Sequence, residues 1–228
     1  RKMIFVNPSM FTGDILIPNL DEKCIQDFEI FKLISKWELE YLEAVLGKCL
    51  LDQLLEQMEI KDGDNGKYWG LKEDAENKWQ WLVNGRTYEK TDESVIDFMD
   101  LSDFGCGCSS GKCKFHSWEG FVTTTKTIIK GEIVEFQESF LAHAIYYNWS
   151  YFNESRTTGI GEQKPLAKNS TSIYNPMRRI DAYNHFLSKV TQCSKGGRIS
   201  LYGFIKEHSE SFPDFSGANI KFINIWDV

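Results

Sequence analysis

The residues best suited to chemistry are three cysteines and a histidine that lie within eleven positions of one another. They are Cys106, Cys108, Cys113 and His116, in a segment rich in glycine and serine. Tetrahedral zinc takes three thiolates and an imidazole, and glycine lets a short backbone wrap around the ion. Four protein ligands leave no open coordination position, so a zinc ion here would stabilise the loop and would not catalyse a reaction. We therefore predict a candidate structural zinc site at these four residues.

The spacing of the cysteines leaves other interpretations open. One residue separates Cys106 from Cys108, whereas two usually separate the first cysteines of a zinc knuckle. Free surface thiols, and disulfides formed outside the cell, are the alternatives. The sequence requires no cofactor, and structural zinc is the one that it suggests.

A second candidate metal loop begins at Asp62. Asp62, Asp64 and Glu73 occupy the first, third and twelfth positions of a calcium loop between two predicted helices. Lys67 stands at the sixth position, where such loops need glycine for a sharp turn, and Gly66 supplies no side-chain oxygen at the fifth. We predict a solvated acidic turn rather than a calcium site.

The histidines do not form a recognisable catalytic motif. They are His116, His143, His185 and His208. The sequence has neither a G-x-S-x-G nucleophile turn nor an H-E-x-x-H zinc motif, and His143 and His185 are predicted on helix faces. We predict that the chain is not an enzyme. Catalytic residues gathered from separate helices are the alternative, which spacing alone does not reveal.

Composition indicates one globular domain with appendages. The 228 residues are 42% hydrophobic and include five prolines, and a chain of this size buries roughly 70% of its surface without needing disulfides. Its 33 acidic and 26 basic residues give a net charge of −7, which argues against phosphate binding as its main role. No apolar run approaches the roughly 18 residues of a membrane span, and the first residues lack the apolar region of a signal peptide. The sequence therefore predicts a protein without membrane contact that is made without export.

Hydrophobic periodicity predicts a mainly α fold, a helical bundle with long loops and minor β structure. Helices are predicted over residues 19–45, about 50–60, 71–82, 132–152, 176–190 and 200–209, and a short strand over 123–127. Asn19 is the predicted N-cap of the first helix, and Gly47 marks its end or a kink.

The predicted domain organisation has three parts. Residues 1–18 form an extended N-terminal arm, residues 19–212 form the helical domain, and residues 213–228 form a C-terminal arm or strand. The helical domain contains a loop insertion at about 89–118 and a long loop at about 154–172. The tail pairs as a strand with a neighbouring protein or completes its own domain. Nothing in the sequence shows which surface of a monomer would bury these apolar arms. The arms therefore favour an assembly in which chains exchange segments with their neighbours.

Short aromatic motifs follow one another between about residues 20 and 210. They are Trp37-Glu38-x2-Tyr41-Leu42, Trp79-x-Trp81-Leu82-x2-Gly85-x2-Tyr88, Trp118-x-Gly120-Phe121, Ala144-Ile-Tyr-Tyr-Asn-Trp149, Thr157-Thr158-x2-Gly161 and Asp181-Ala182-Tyr183-Asn184. This order resembles the head-to-tail adaptor, or connector ring, proteins of tailed bacteriophages, particularly the crAss-like phage type. Residues 91–117, which hold the cysteines, have no counterpart in the family pattern.

The resemblance implies a non-enzymatic structural protein of the virion, assembled in the host cytoplasm. Such adaptors dock beneath the portal, commonly as a twelve-copy ring around the DNA exit channel. The expected partners are further copies of the chain, the portal and neighbouring tail or ring proteins. DNA would pass through the acidic channel without specific binding. A zinc-stapled binding module that uses the 106–116 loop is the alternative function.

Overall fold

A computed structural model describes residues 4–17, 25–63, 66–89, 115–153, 156–158, 161–163, 176–192 and 197–215. Within these ranges the chain combines helices with small antiparallel hairpins, which confirms the mainly α prediction at a coarse level. The helices are α1 (Ile25–Leu46), α2 (Lys48–Glu56), α3 (Asn77–Asn84), α4 (Phe140–Asn153), α5 (Pro176–Thr191) and α6 (Leu201–Glu207). The strands pair as β1 (Met58–Gly63) with β2 (Gly66–Leu71), β3 (Arg86–Glu89) with β4 (Phe115–Trp118), β5 (Thr123–Ile129) with β6 (Glu132–Glu138), and β7 (Arg156–Thr158) with β8 (Gly161–Gln163).

Helix α1 buries one face along most of its length. Ile30, Ile34, Leu42 and Val45 are buried at helical spacing, as periodicity predicts. The predicted boundary at Gly47 is confirmed, since this glycine separates α1 from α2 with a φ of 80°. The predicted N-cap at Asn19 lies outside the described residues.

The structure corrects the helical prediction in three places. The helix predicted from Leu71 begins only at Asn77, because Leu71 ends strand β2 and pairs with Met58. Residues 58–60 begin strand β1 rather than end a helix, because they pair with residues 69–71 of β2. Residues 132–138 form β6, and the helix begins only at Phe140. Lys130 and Gly131 both have positive φ, 52° and 87°, and such a two-residue turn favours a hairpin. The predicted strand at 123–127 is confirmed and extends to Ile129.

The core joins helices from both halves of the chain. Helices α4 and α5 pack against each other, α1 packs against α4, and α6 packs against α5. Phe140 and Phe186 stack with ring centroids 6.0 Å apart, and the Asn148 amide donates to the Tyr41 hydroxyl at 2.7 Å. One continuous cluster of buried residues therefore holds these elements together.

The N-terminal arm, residues 4–17, packs on its own chain. It is extended apart from two 3₁₀ turns, Pro8–Met10 and Gly13–Ile15, and the second turn contacts α4 and α5. The Arg178 guanidinium donates to the carbonyl oxygen of Gly13 at 3.0 Å. The buried side chains of the arm are Ile4, Phe5, Val6, Met10, Phe11, Ile15 and Ile17. These side chains therefore have cover within their own chain, so the apolar composition of the arm does not by itself favour exchange of segments between chains.

Helix α3 and the segment after β4 approach each other closely at two glycines. Gly85 and Gly120 have φ of +84° and +85°, and a Cβ added at Gly120 would lie 2.5 Å from the Val83 carbonyl oxygen. The Phe121 amide donates to that oxygen at 2.9 Å, and the Trp118 indole donates to the Leu82 carbonyl oxygen at 2.8 Å. These contacts fix the base of the β3–β4 hairpin, whose connecting residues 90–114 lie outside the described part.

The long loop predicted at about 154–172 holds the short β7–β8 hairpin, and its remaining residues lie outside the described ranges. The predicted C-terminal arm is described only as far as Phe215, whose ring packs against Tyr202 at 5.4 Å. The tail strand predicted around 220–226 therefore has no structural account.

Candidate functional site

Of the four predicted zinc ligands, the structure describes one. Cys106, Cys108 and Cys113 lie outside the described residues. His116 lies in strand β4 and pairs with Tyr88 of β3. Its position places one predicted ligand at the base of the connection that carries the cysteines.

The imidazole of His116 is held by a carboxylate from α6. Its Nδ1 lies 2.7 Å from Oε1 and 2.9 Å from Oε2 of Glu207. The Tyr88 hydroxyl donates to Oε2 of the same carboxylate, and the Tyr88 and His116 rings meet edge to face at 6.1 Å. The Arg86 guanidinium lies 3.7 Å from the Trp81 ring and beside His208. The cluster is half-buried and joins β3, β4 and α6.

This arrangement fixes which nitrogen of His116 could bind a metal. A carboxylate that accepts from Nδ1 orients the ring and leaves Nε2 as the ligand atom, as is common for metal-bound histidines. Glu207 is thus a residue that spacing could not find, since it lies 91 positions from His116. No group of three or more potential metal-binding side chains is present among the residues that the structure describes.

The acidic turn at Asp62 lies in a β-hairpin rather than between two helices. Asp62 pairs with Lys67 across β1 and β2, and residues 64 and 65 lie outside the described part. A calcium loop requires a helix on each side, so the expected helical context is wrong here.

A second cluster lies in a cleft between α4 and α5. The rings of His143 and His185 stack with centroids 4.1 Å apart. Burial, reinforced by His185 and Lys189, lowers the pKa of His143 to about 3, and burial also lowers the pKa of His185. No described residue forms a hydrogen bond with Nδ1 of His143. Both histidines lie on helix faces, as predicted, and both are neutral at pH 7.

One edge of this cleft is charged. Lys189 donates to Oε2 of Glu119 at 2.6 Å, and Arg198 lies 3.3 Å from Oε1 of the same carboxylate. Burial alone would raise the pKa of Glu119, but these two cations lower it. Glu119 and Glu138, which both line the cleft, balance the charges of Lys189 and Arg198, so the cleft offers little net charge to a ligand.

Glu38 is a fully buried acidic residue that connects the arm to α1. Its Oε2 accepts from the Ile4 amide at 2.7 Å, and its Oε1 accepts from the amides of Phe5 and Val6 at 2.6 and 2.9 Å. Burial raises its pKa to about 7, although the three amides oppose that change. The sequence carried a signal for this role, because Glu38 lies four residues from both Ile34 and Leu42 on the buried face of the helix.

None of the described helices is long and apolar enough to span a bilayer. Comparisons of the chain with known protein families, with curated proteins and with solved structures found no match.

Proposed function

We propose that the chain is a non-enzymatic structural subunit of a phage virion, a head-to-tail adaptor of the crAss-like phage type. It assembles as a ring below the portal and surrounds the channel through which DNA passes. The proposal rests on the ordered motifs in the sequence. One structural observation supports it: residues from separate motifs contact one another in the core.

The contacts between the motifs are specific. The motif around Trp118 contacts the motif around Trp79, because the Trp118 indole N–H donates to the Leu82 carbonyl oxygen. The motif around Tyr41 meets the tyrosine-rich helix at Asn148, and Tyr147 of that helix packs against Tyr183 at 4.9 Å. These residues therefore pack together within one core, which is compatible with a structural role.

Native mass spectrometry of the chain, alone and with its candidate portal, tests this function. We expect a closed ring of defined copy number or a multimer that forms only with the portal. An unrelated oligomeric protein of similar charge serves as the control and should not induce the multimer. Monomers at every concentration, with and without the portal, would reject the adaptor function.

A zinc-stapled binding module is the second candidate, and the position of His116 favours it. Glu207 holds Nδ1 and leaves Nε2 for a metal at the base of the cysteine segment. Metal analysis of the purified chain should then give one zinc per chain. The variant Cys108→Ser should lose the zinc, whereas Cys49→Ser, at an exposed cysteine in α2, should keep it. Equal zinc content in both variants would reject the site.

A further inference from the structure

Hairpin β5–β6 carries an uncovered apolar end. Ile128 and Ile133 pair across the strands and keep 74% and 71% of their surfaces exposed. The hairpin is anchored at its base, where Phe121 and Phe140 are buried and stack with centroids 5.5 Å apart. A firmly anchored hairpin with apolar residues in solvent is typical of a contact surface.

Both strands of this hairpin are edge strands within the described ranges. The turn at Lys130 and Gly131 makes Ile129 and Glu132 a hydrogen-bonded pair, and bonded pairs then alternate along the ladder. The first 3₁₀ turn of the arm lies near β6, but no backbone hydrogen bond joins the two in the part described. The residues of the non-bonded pairs direct their backbone N–H and C=O groups away from the partner strand. They are Thr124, Lys126 and Ile128 in β5 and Ile133, Glu135 and Gln137 in β6.

The two edges carry complementary charge. Strand β5 has one lysine and no acidic residue, whereas β6 has three glutamates and no basic residue. Two β6 edges placed side by side would repel each other, but a β5 edge beside a β6 edge would bring opposite charges together. Within one hairpin this pairing already exists, since Lys126 lies 2.5 Å from Glu135.

We infer that neighbouring copies of this chain pair the β5 edge of one hairpin with the β6 edge of the next. Ile128 then lies beside Ile133 of the next copy, and Lys126 lies beside its Glu135. Because the two paired edges differ, the contact repeats from copy to copy and closes a ring when the rotation permits. The inference rests on the proposed function, and it identifies the second copy of the chain as the partner of this surface.

Proline at an outward-pointing amide tests the pairing without breaking the hairpin itself. Thr124→Pro blocks the β5 edge, and Gln137→Pro blocks the β6 edge. Thr124→Val and Gln137→Val are the matched controls, because they keep the amide. Each proline variant should require at least ten times more protein for half-assembly by mass photometry, whereas the valine controls assemble like the wild type. Circular dichroism should confirm that all four variants are folded.

Mixing the two proline variants provides the decisive result. Gln137→Pro keeps its β5 edge and Thr124→Pro keeps its β6 edge, so the mixture should form one-to-one dimers that do not grow further. Self-association of Gln137→Pro through two β5 edges would overturn the heterologous pairing. If both proline variants reached half-assembly at the same protein concentration as the wild type, the role of the hairpin would be overturned and the adaptor function would stay intact. A wild-type chain that never assembles would reject both.

Discussion

Glu38 makes three hydrogen bonds between the N-terminal arm and the helical domain. One buried carboxylate accepts from the amides of three consecutive residues, Ile4, Phe5 and Val6. A carboxyl group can accept through both oxygens, and the loss of a buried acceptor leaves donors unsatisfied. The arm is therefore held by hydrogen bonds to Glu38 at its start, by the Arg178 hydrogen bond to Gly13 near its end, and by burial of apolar side chains along its length.

The variant Glu38→Gln should lower the free energy of unfolding by about 2 kcal/mol at pH 5, because the amide nitrogen only donates, whereas the carboxyl oxygen that it replaces can still accept. The change should depend on pH. Burial raises the pKa of Glu38 to about 7, so its stabilising effect is fully present below about 4.5 and decreases as pH rises through 7. Urea unfolding should thus give a larger difference between wild type and variant at pH 5 than at pH 8.

The exposed Glu40 on the same helix supplies the control for this comparison. Glu40→Gln should change the free energy of unfolding by less than about 0.5 kcal/mol at either pH. A Glu38→Gln penalty that grows between pH 5 and pH 8 would contradict the assigned direction of the pKa.

His143 should make the fold sensitive to mild acid. Its pKa is about 3 in the folded chain and near 6.5 when unfolded, so the stability present above pH 6.5 is lost progressively as pH falls. Between pH 7.5 and pH 5.5 the wild type should lose about 1 kcal/mol more than His143→Phe, which has no proton to bind.

Two measurements check this prediction. Urea unfolding at the two pH values gives the difference in stability, and at pH 7.5 the variant should lie within about 1.5 kcal/mol of the wild type. NMR of the folded wild type should report a neutral His143 imidazole at pH 5. A ring that titrates near pH 6.5 in the folded state would contradict the prediction.

At the scale of elements, two glycines with nearly the same positive φ should respond very differently to alanine. Gly120 and Gly131 have φ of +85° and +87°. A Cβ at Gly131 meets nothing within 4 Å, so Gly131→Ala should cost only the backbone strain of about 1–2 kcal/mol. Gly120→Ala should cost at least about 2 kcal/mol more, because its Cβ meets the Val83 carbonyl oxygen at 2.5 Å. Thermal and urea unfolding of the pair measure the difference, and equal costs would show that α3 can move away.

Hydrophobic periodicity predicted the buried helices well. It failed where the same apolar residues fit both a helix and a strand. The buried faces of α1, α5 and α6 repeat at helical spacing over their own lengths. Residues 132–138 hold Ile133, Val134 and Phe136, and these continue the stripe of the following helix as easily as they alternate along a strand. The turn at Lys130 and Gly131 and the pairing with the threonines of β5 favour a strand over a helix here. Both features lie outside residues 132–138.

The candidate site was predictable only in its local part. The spacing of cysteines singled out His116 as a ligand. Its carboxylate partner Glu207 comes from α6, and only the tertiary fold brings that helix to β4. A charged residue at a core position, as at Glu38, is the kind of signal that a sequence does carry.

At the scale of the whole molecule, two apolar segments of the described part differ in their cover. The arm buries its apolar side chains against the helices of its own chain, whereas the β5–β6 hairpin directs Ile128 and Ile133 into solvent. Contact between copies is therefore expected through the hairpin, and the arm contributes to the stability of each copy.

A variant that lacks residues 1–17 tests this division of roles. The deletion uncovers the helix surfaces beneath the arm and leaves Glu38 without its three amides, so the free energy of unfolding should fall by at least about 3 kcal/mol. A synthetic peptide of residues 1–17 should bind the truncated chain and restore its urea midpoint. A matched peptide with Val6→Pro lacks one amide that donates to Glu38 and should bind at least ten times more weakly. Equal binding of the two peptides would contradict the role of Glu38, and an unchanged midpoint after truncation would show that the arm does not stabilise its own domain.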